Sequence, residues 1–121
     1  MTTQVNEKPF QNDRDENGRT NLMLWIVSEE KGENIPIKFL YNGFEKDKDK
    51  SGMTPLMLWI EYRSEPIPDI LYYDGCEKEK NNINQTPYMI WRQFKRDQPV
   101  PERLKYPGCE KDYLQFNSQM K

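Results

Sequence analysis

Apolar side chains in this chain gather into short blocks separated by long polar stretches. The block Leu22-Met23-Leu24-Trp25-Ile26 returns as Leu56-Met57-Leu58-Trp59-Ile60 and, more weakly, as Tyr88-Met89-Ile90-Trp91. Counted from the threonine before each, the first two copies are identical at six of seven positions, and Thr20, Thr54 and Thr86 are spaced by 34 and then 32 residues. A second block keeps step with the first. Ile35-Pro36 leads to Tyr41-Asn42-Gly43, Ile67-Pro68 to Tyr73-Asp74-Gly75, and Val100-Pro101 to Tyr106-Pro107-Gly108, each followed one residue later by Glu-Lys. Two blocks in one order, three times over, define a repeat, and a fixed period near 34 marks an array of stacked units. The repeats span residues 15–48, 49–80 and 81–112, between a polar N-terminal arm or thin cap at 1–14 and a partial cap with a frayed tail at 113–121.

Each unit reads as turn, helix, short loop, helix. Asn17-Gly18 and Ser51-Gly52 are turn dipeptides, and Asn84 stands where the third glycine would be; glycine, and next to it asparagine, adopts the positive φ of a tight turn at low cost. Thr54-Pro55 is a helix start, since the hydroxyl caps free amides and proline at the first helical position has no amide to leave unbonded. A second helix of about two turns is expected to open at Pro68, carry Ile70, Leu71 and Tyr72, and end at Gly75. Helices this short are unstable alone, so stacking must hold them. Arg92 in place of Ile26 and Ile60, and Lys105 in place of Leu40 and Tyr72, blunt the outer face of the third unit as the last full repeat. Tyr113-Leu114-Gln115-Phe116 forms the partial cap, with Ser118 to Lys121 expected to fray.

Asp49-Lys50-Ser51-Gly52-Met53-Thr54-Pro55-Leu56-Met57 resembles the opening of an ankyrin repeat, and Gly75-Cys76-Glu77 is similar to the Gly-Ala-Asp that follows that family's second helix. The likeness covers about residues 15–112. Tetratricopeptide repeats share the period but lack the Thr-Pro start. The resemblance implies an all-α fold, an ankyrin repeat solenoid of helix-turn-helix units with β-turn or hairpin loops between repeats. This variant lacks histidine: Met23, Met57 and Met89 replace the family histidine, and Trp25, Trp59 and Trp91 replace a small alanine. The indoles and methionines are expected in the core between units, and Cys76 and Cys109, at the place of another family alanine, as buried, unreactive thiols.

Composition narrows the function. Charged residues make up 31% of the chain and apolar ones 35%, with a mean hydropathy of -1.07, which suits a structure burying a narrow stripe. A net charge of -2 from intermixed signs offers no field for nucleic acid or an anionic membrane, and no apolar run nears the roughly 20 residues that span a bilayer. With no histidine, the His-based nucleophilic arrangements and most zinc sites are excluded, and no phosphate loop or nucleophile motif is present. The expectation is a non-enzyme with no catalytic, metal or cofactor site. With two cysteines and no apolar leader, the expected location is a reducing intracellular compartment, the cytoplasm foremost, with the nucleus also open.

Ankyrin proteins generally grip other proteins with their turn tips and first-helix face. Carried onto this chain, that implies a partner-binding set of Arg19, Lys50, Met53, Glu61, Tyr62, Ile83, Gln85 and Phe94. Met53, Tyr62, Ile83 and Phe94 are read as apolar or aromatic surface residues, the type enriched at interface hot spots. The leading expectation is a monomeric module that binds another protein, with no nucleic-acid or membrane partner. The alternative is a self-assembling structural module that forms a homo-oligomer through its exposed aromatics.

Overall fold

The computed structural model describes residues 15–28 and 35–119. The expected arm at 1–14, the segment 29–34, and the tail residues Met120 and Lys121 lie outside the described residues. Among the described residues the fold is all-α: four helices, α1 (Asn21–Val27), α2 (Pro55–Tyr62), α3 (Pro87–Phe94) and α4 (Cys109–Gln119), with 3₁₀ turns between them and no strand. Each helix packs on the next, α1 on α2, α2 on α3 and α3 on α4.

The start of each repeated helix is set by the residues the sequence singles out. Thr20, Thr54 and Thr86 sit in extended backbone, and their hydroxyls accept from the amides of Met23, Met57 and Met89 at 3.3, 3.3 and 3.4 Å. Pro55 and Pro87 occupy the first helical position. In α2 every residue from Pro55 to Ile60 is buried, because the helix has a neighbour on both sides. One continuous core runs from Leu22 in the first unit to Leu104 in the third. Met23 and Met57 are fully enclosed and Met89 nearly so, as expected of a side chain that fills irregular gaps.

Tryptophan does two jobs. Trp59 is completely buried, Trp91 is buried and Trp25 half-buried. The indole N–H of Trp59 donates to the Glu65 carbonyl at 2.8 Å, and that of Trp91 to the Gln98 carbonyl at 3.1 Å. Each ring therefore fills the core and ties down the loop that leaves its own helix. Trp25 and Trp59 lie 6.2 Å apart, and the buried Arg63 guanidinium sits over both, at 4.4 and 5.0 Å from the ring centres. A desolvated cation over indole faces is held by the ring quadrupole.

The second half of the unit departs from expectation. In place of a two-turn helix from Pro68, the chain makes a single 3₁₀ turn at Asp69–Leu71, extends through Tyr72, and makes another at Cys76–Lys78. Pro68 stands before the turn with ψ of 140°. The same pair of turns recurs at Ile37–Phe39 and Phe44–Lys46. The physical reason is length: an α-helical nucleus fixes three residues for one hydrogen bond, and Gly75 and its left-handed φ cut the segment off before propagation repays that. Short 3₁₀ turns carry Leu71 and Leu104 into the core instead. The units are therefore one helix and two turns, not two helices.

The third unit departs again, in the opposite direction. From Cys109 the chain stays helical for 11 residues, so α4 crosses the expected boundary at 112, and Ser118, expected to fray, lies within it. α4 packs on α3 through Tyr113, edge-on to Tyr88 at 6.4 Å, and through Glu110, which accepts hydrogen bonds from Arg92 and Tyr88. Arg92, polar where its counterparts are isoleucine, thus anchors the cap. Cys76 is buried, and burial pushes its thiol above the ordinary value; Cys109, expected to be buried, is only half-buried because α4 starts at the surface.

The turns at the head of each unit stack directly. A carbonyl oxygen in the side chain of Asp15, Asp49 or Asn81 accepts two amides of its own turn, at 2.9 to 3.1 Å. Neighbouring turns are joined by backbone bonds, Lys50 N–H to the Asn17 carbonyl and Asn82 N–H to the Ser51 carbonyl, both 2.9 Å. That approach explains the glycines. A Cβ on Gly52 would stand 2.8 Å from the Asn82 backbone nitrogen, and one on Gly18 would stand 3.0 Å from that of Lys50. Asn84 keeps the same positive φ, 68°, in a turn on which no further turn stacks among the described residues.

Two substitutions separate these effects. Gly75→Ala, with φ of +87° and open space around the new Cβ, is expected to cost only the left-handed strain, about 1–2 kcal/mol. Gly52→Ala adds the backbone clash and should cost at least about 1 kcal/mol more in urea unfolding; equal losses would mean that the turns do not stack this closely. Asp49→Asn retains the accepting oxygen, as Asn81 does naturally, and should cost under about 1 kcal/mol, whereas Asp49→Ala leaves two turn amides without acceptors and should cost about 2 kcal/mol or more.

Candidate interaction groove

The turn tips and the adjoining helix faces enclose an open groove of about 470 Å³ across all three units. Its lining includes each of the eight residues expected to contact a partner: Arg19 from the first unit, Lys50, Met53, Glu61 and Tyr62 from the second, and Ile83, Gln85 and Phe94 from the third. Turn stacking brings them together, because it sets the tips side by side while the helices supply the opposite wall.

Their exposures differ from expectation in two cases. Tyr62, Ile83 and Phe94 are about half-exposed, at 46, 54 and 47%, and form the apolar rim. Met53, expected on the surface, is buried at 7% and belongs to the core. Its backbone is drawn in by the Asp49 carboxylate, and the Asn81 amide rests 3.4 Å from its sulfur, so it is floor rather than rim. Gln85 is also buried, because its side chain is engaged by Asn81 at 2.9 Å and by Gln93 at 2.8 Å.

Charge in the groove is arranged across units. The Arg19 guanidinium lies 3.7 Å from the Asp49 carboxylate of the next unit and over the Tyr62 ring at 5.8 Å. This fixes an aromatic edge at the groove mouth while leaving Arg19 partly exposed. The charge runs Glu45 to Lys50 and Glu77 to Lys80 lie alongside, where Lys48 reaches Glu79 at 3.5 Å. Both of those side chains are over a third exposed, so the pair adds little stability.

Sequence reasoning missed two groups. Asp49 and Asn81 are buried turn organisers whose recurrence three residues before Gly52 and Asn84 was the available signal. Arg96, Tyr113 and Phe116 extend the groove into a second cavity of about 360 Å³ between α3 and α4, which also shares Ile83, Gln85 and Gln93. No period could reveal these, since α4 breaks the repeat. Among the described residues no group of three or more His, Cys, Asp or Glu side chains is placed to hold a metal ion, and no helix is long and apolar enough to cross a membrane.

Comparison of the chain with protein-family models, curated proteins and solved structures finds no match to any of them.

The α4 wall carries a pH dependence. Hydrogen bonds from Tyr88 and then Arg92 hold the Glu110 carboxyl below the ordinary carboxylate value. A depressed folded-state value means that the stabilisation is present above the ordinary carboxylate range and is lost as pH falls through the folded value. Glu110 is largely exposed, so the effect is local. Hydrogen exchange of α4 amides should accelerate relative to α2 as pH falls from about 5 to about 3, after correction for intrinsic rates, and Glu110→Gln should remove most of that difference.

Proposed function

We propose that this chain is an ankyrin-like repeat protein, a short solenoid whose work is to bind another protein in the groove formed by its turn tips and first helices. One observation carries the reading: residues from three successive units, separated by up to 75 positions between Arg19 and Phe94, line a single open groove whose rim holds three half-exposed apolar or aromatic side chains. Such anchors, set among polar groups already bonded to one another, are what a protein partner can desolvate profitably. The helix, the Thr-Pro start and the stacked glycine turns support the ankyrin likeness; the reduction of the second helix to 3₁₀ turns makes this a lean variant of it. The groove is open rather than enclosed, and its Arg19 and Asp49 are committed to inter-unit pairing and turn closure, which favours binding over catalysis.

The test is capture from a lysate of the source cell by wild type and by Tyr62→Ala/Phe94→Ala. Both side chains are about half-exposed, so circular dichroism and melting should be nearly unchanged. Truncating two anchors is expected to weaken a true partner by at least about tenfold. Equal retention of every captured protein by the two forms would overturn the assignment of this groove.

A further inference from the structure

A hydrogen-bond chain whose direction is set by the backbone runs from Asn81 in the third head turn to the cavity between α3 and α4. The Asn81 side-chain oxygen accepts the amides of Ile83 and Gln85, at 3.1 and 2.9 Å. Its nitrogen must therefore be the group facing Gln85, and it donates to the Gln85 oxygen at 2.9 Å. The Gln85 nitrogen is then the donor to the Gln93 oxygen at 2.8 Å. Each amide spends its oxygen inward, so what Gln93 has left to offer at the exposed end is its N–H₂. Asn81 and Gln85 are buried and locked by the turn, which prevents the chain from reversing.

The cavity that receives this end is lined by Ile83, Tyr113 and Phe116 as apolar walls, by Arg96 as its charged side chain and by the neutral amide of Asn117. Neither Asp nor Glu lines it among the described residues. An N–H donor pair, a guanidinium and apolar walls, with no acid to answer them, are complementary to a carboxylate beside an apolar side chain.

We propose that this end of the groove docks an acidic peptide segment of the partner, with an aliphatic or aromatic side chain against Ile83 and Phe116 and an adjacent Asp or Glu carboxylate taken by Arg96 and the Gln93 amide. The inference rests on the protein-binding reading and adds the chemistry of the partner to it.

Gln93→Glu isolates the donor: it retains an oxygen to accept from Gln85 but replaces the outward N–H₂ with a second oxygen. Arg96→Glu reverses the cation at an exposed position. A displayed random-peptide library is panned on wild type, on each of these variants, and on Tyr62→Ala/Phe94→Ala, with circular dichroism confirming that all are folded. Wild type should enrich peptides pairing Asp or Glu with an apolar neighbour. A synthetic peptide of the enriched sequence should bind either charge variant at least about tenfold more weakly, and more weakly to wild type as salt rises from about 0.05 to about 0.5 M. Arg96→Glu should itself enrich Lys or Arg. Enriched peptides without an acid, or acidic ones held equally by Arg96→Glu, would overturn the acidic-segment assignment; if Tyr62→Ala/Phe94→Ala still lost them, the groove reading would stand. A wild type that enriches nothing overturns the assignment as well, and the lysate capture then decides the groove reading separately.

Discussion

The stacking of the units depends on the closing of each head turn by one side-chain oxygen, buried at Asp49 and Asn81 and part-exposed at Asp15. Asp15, Asp49 and Asn81 each bind two amides of their own turn, and a turn so closed presents its remaining backbone groups outward, where the next turn can meet them at 2.9 Å. Helices of seven or eight residues would not persist in water by themselves. Stacked turns hold their starting ends in register, the threonine caps take up amides there, and the apolar blocks then meet across the gap. The glycines are a consequence of this contact, since a Cβ on Gly18 or Gly52 would intrude on the following turn.

The same constraint shapes the candidate site. A groove lined from three units exists because the turns are held close and the helices behind them are held by Trp59, Trp91 and the buried methionines. Its polar groups are largely committed to one another, which leaves the rim aromatics and the open end near α4 as the surfaces with something to offer. Arg92 shows how one substitution can end an array: in place of an apolar face for another unit it provides a cation that draws Glu110 and α4 across α3.

Much of this was legible in the residues. The period, the Thr-Pro starts, the turn dipeptides and the left-handed Asn84 are local chemistry, and the structure places each where that chemistry requires. The eight groove residues were named by carrying the turn-tip and first-helix face that the ankyrin resemblance implies onto the repeated positions. Met53 and Gln85 were misjudged in exposure for a reason no period contains: Asn81 of the next unit covers Met53, and Asn81 and Gln93 of its own unit engage the Gln85 side chain. The indole N–H bonds to the Glu65 and Gln98 carbonyls were equally hidden, since the loop lengths after the helices differ between units.

The amino-acid sequence by itself determined the helical class, the number and phase of the units, and where each first helix begins, because these follow from hydrophobic spacing, capping and turn propensity acting over a few residues. Tertiary structure decided the rest. Where the short segment after Pro68 ends up is one such matter: its 3₁₀ turn packs Leu71 into a core that the neighbouring units complete. Whether the chain after Gly108 turns away or runs on as α4 is another, settled on the flank of α3, where Tyr88 and Arg92 donate to Glu110.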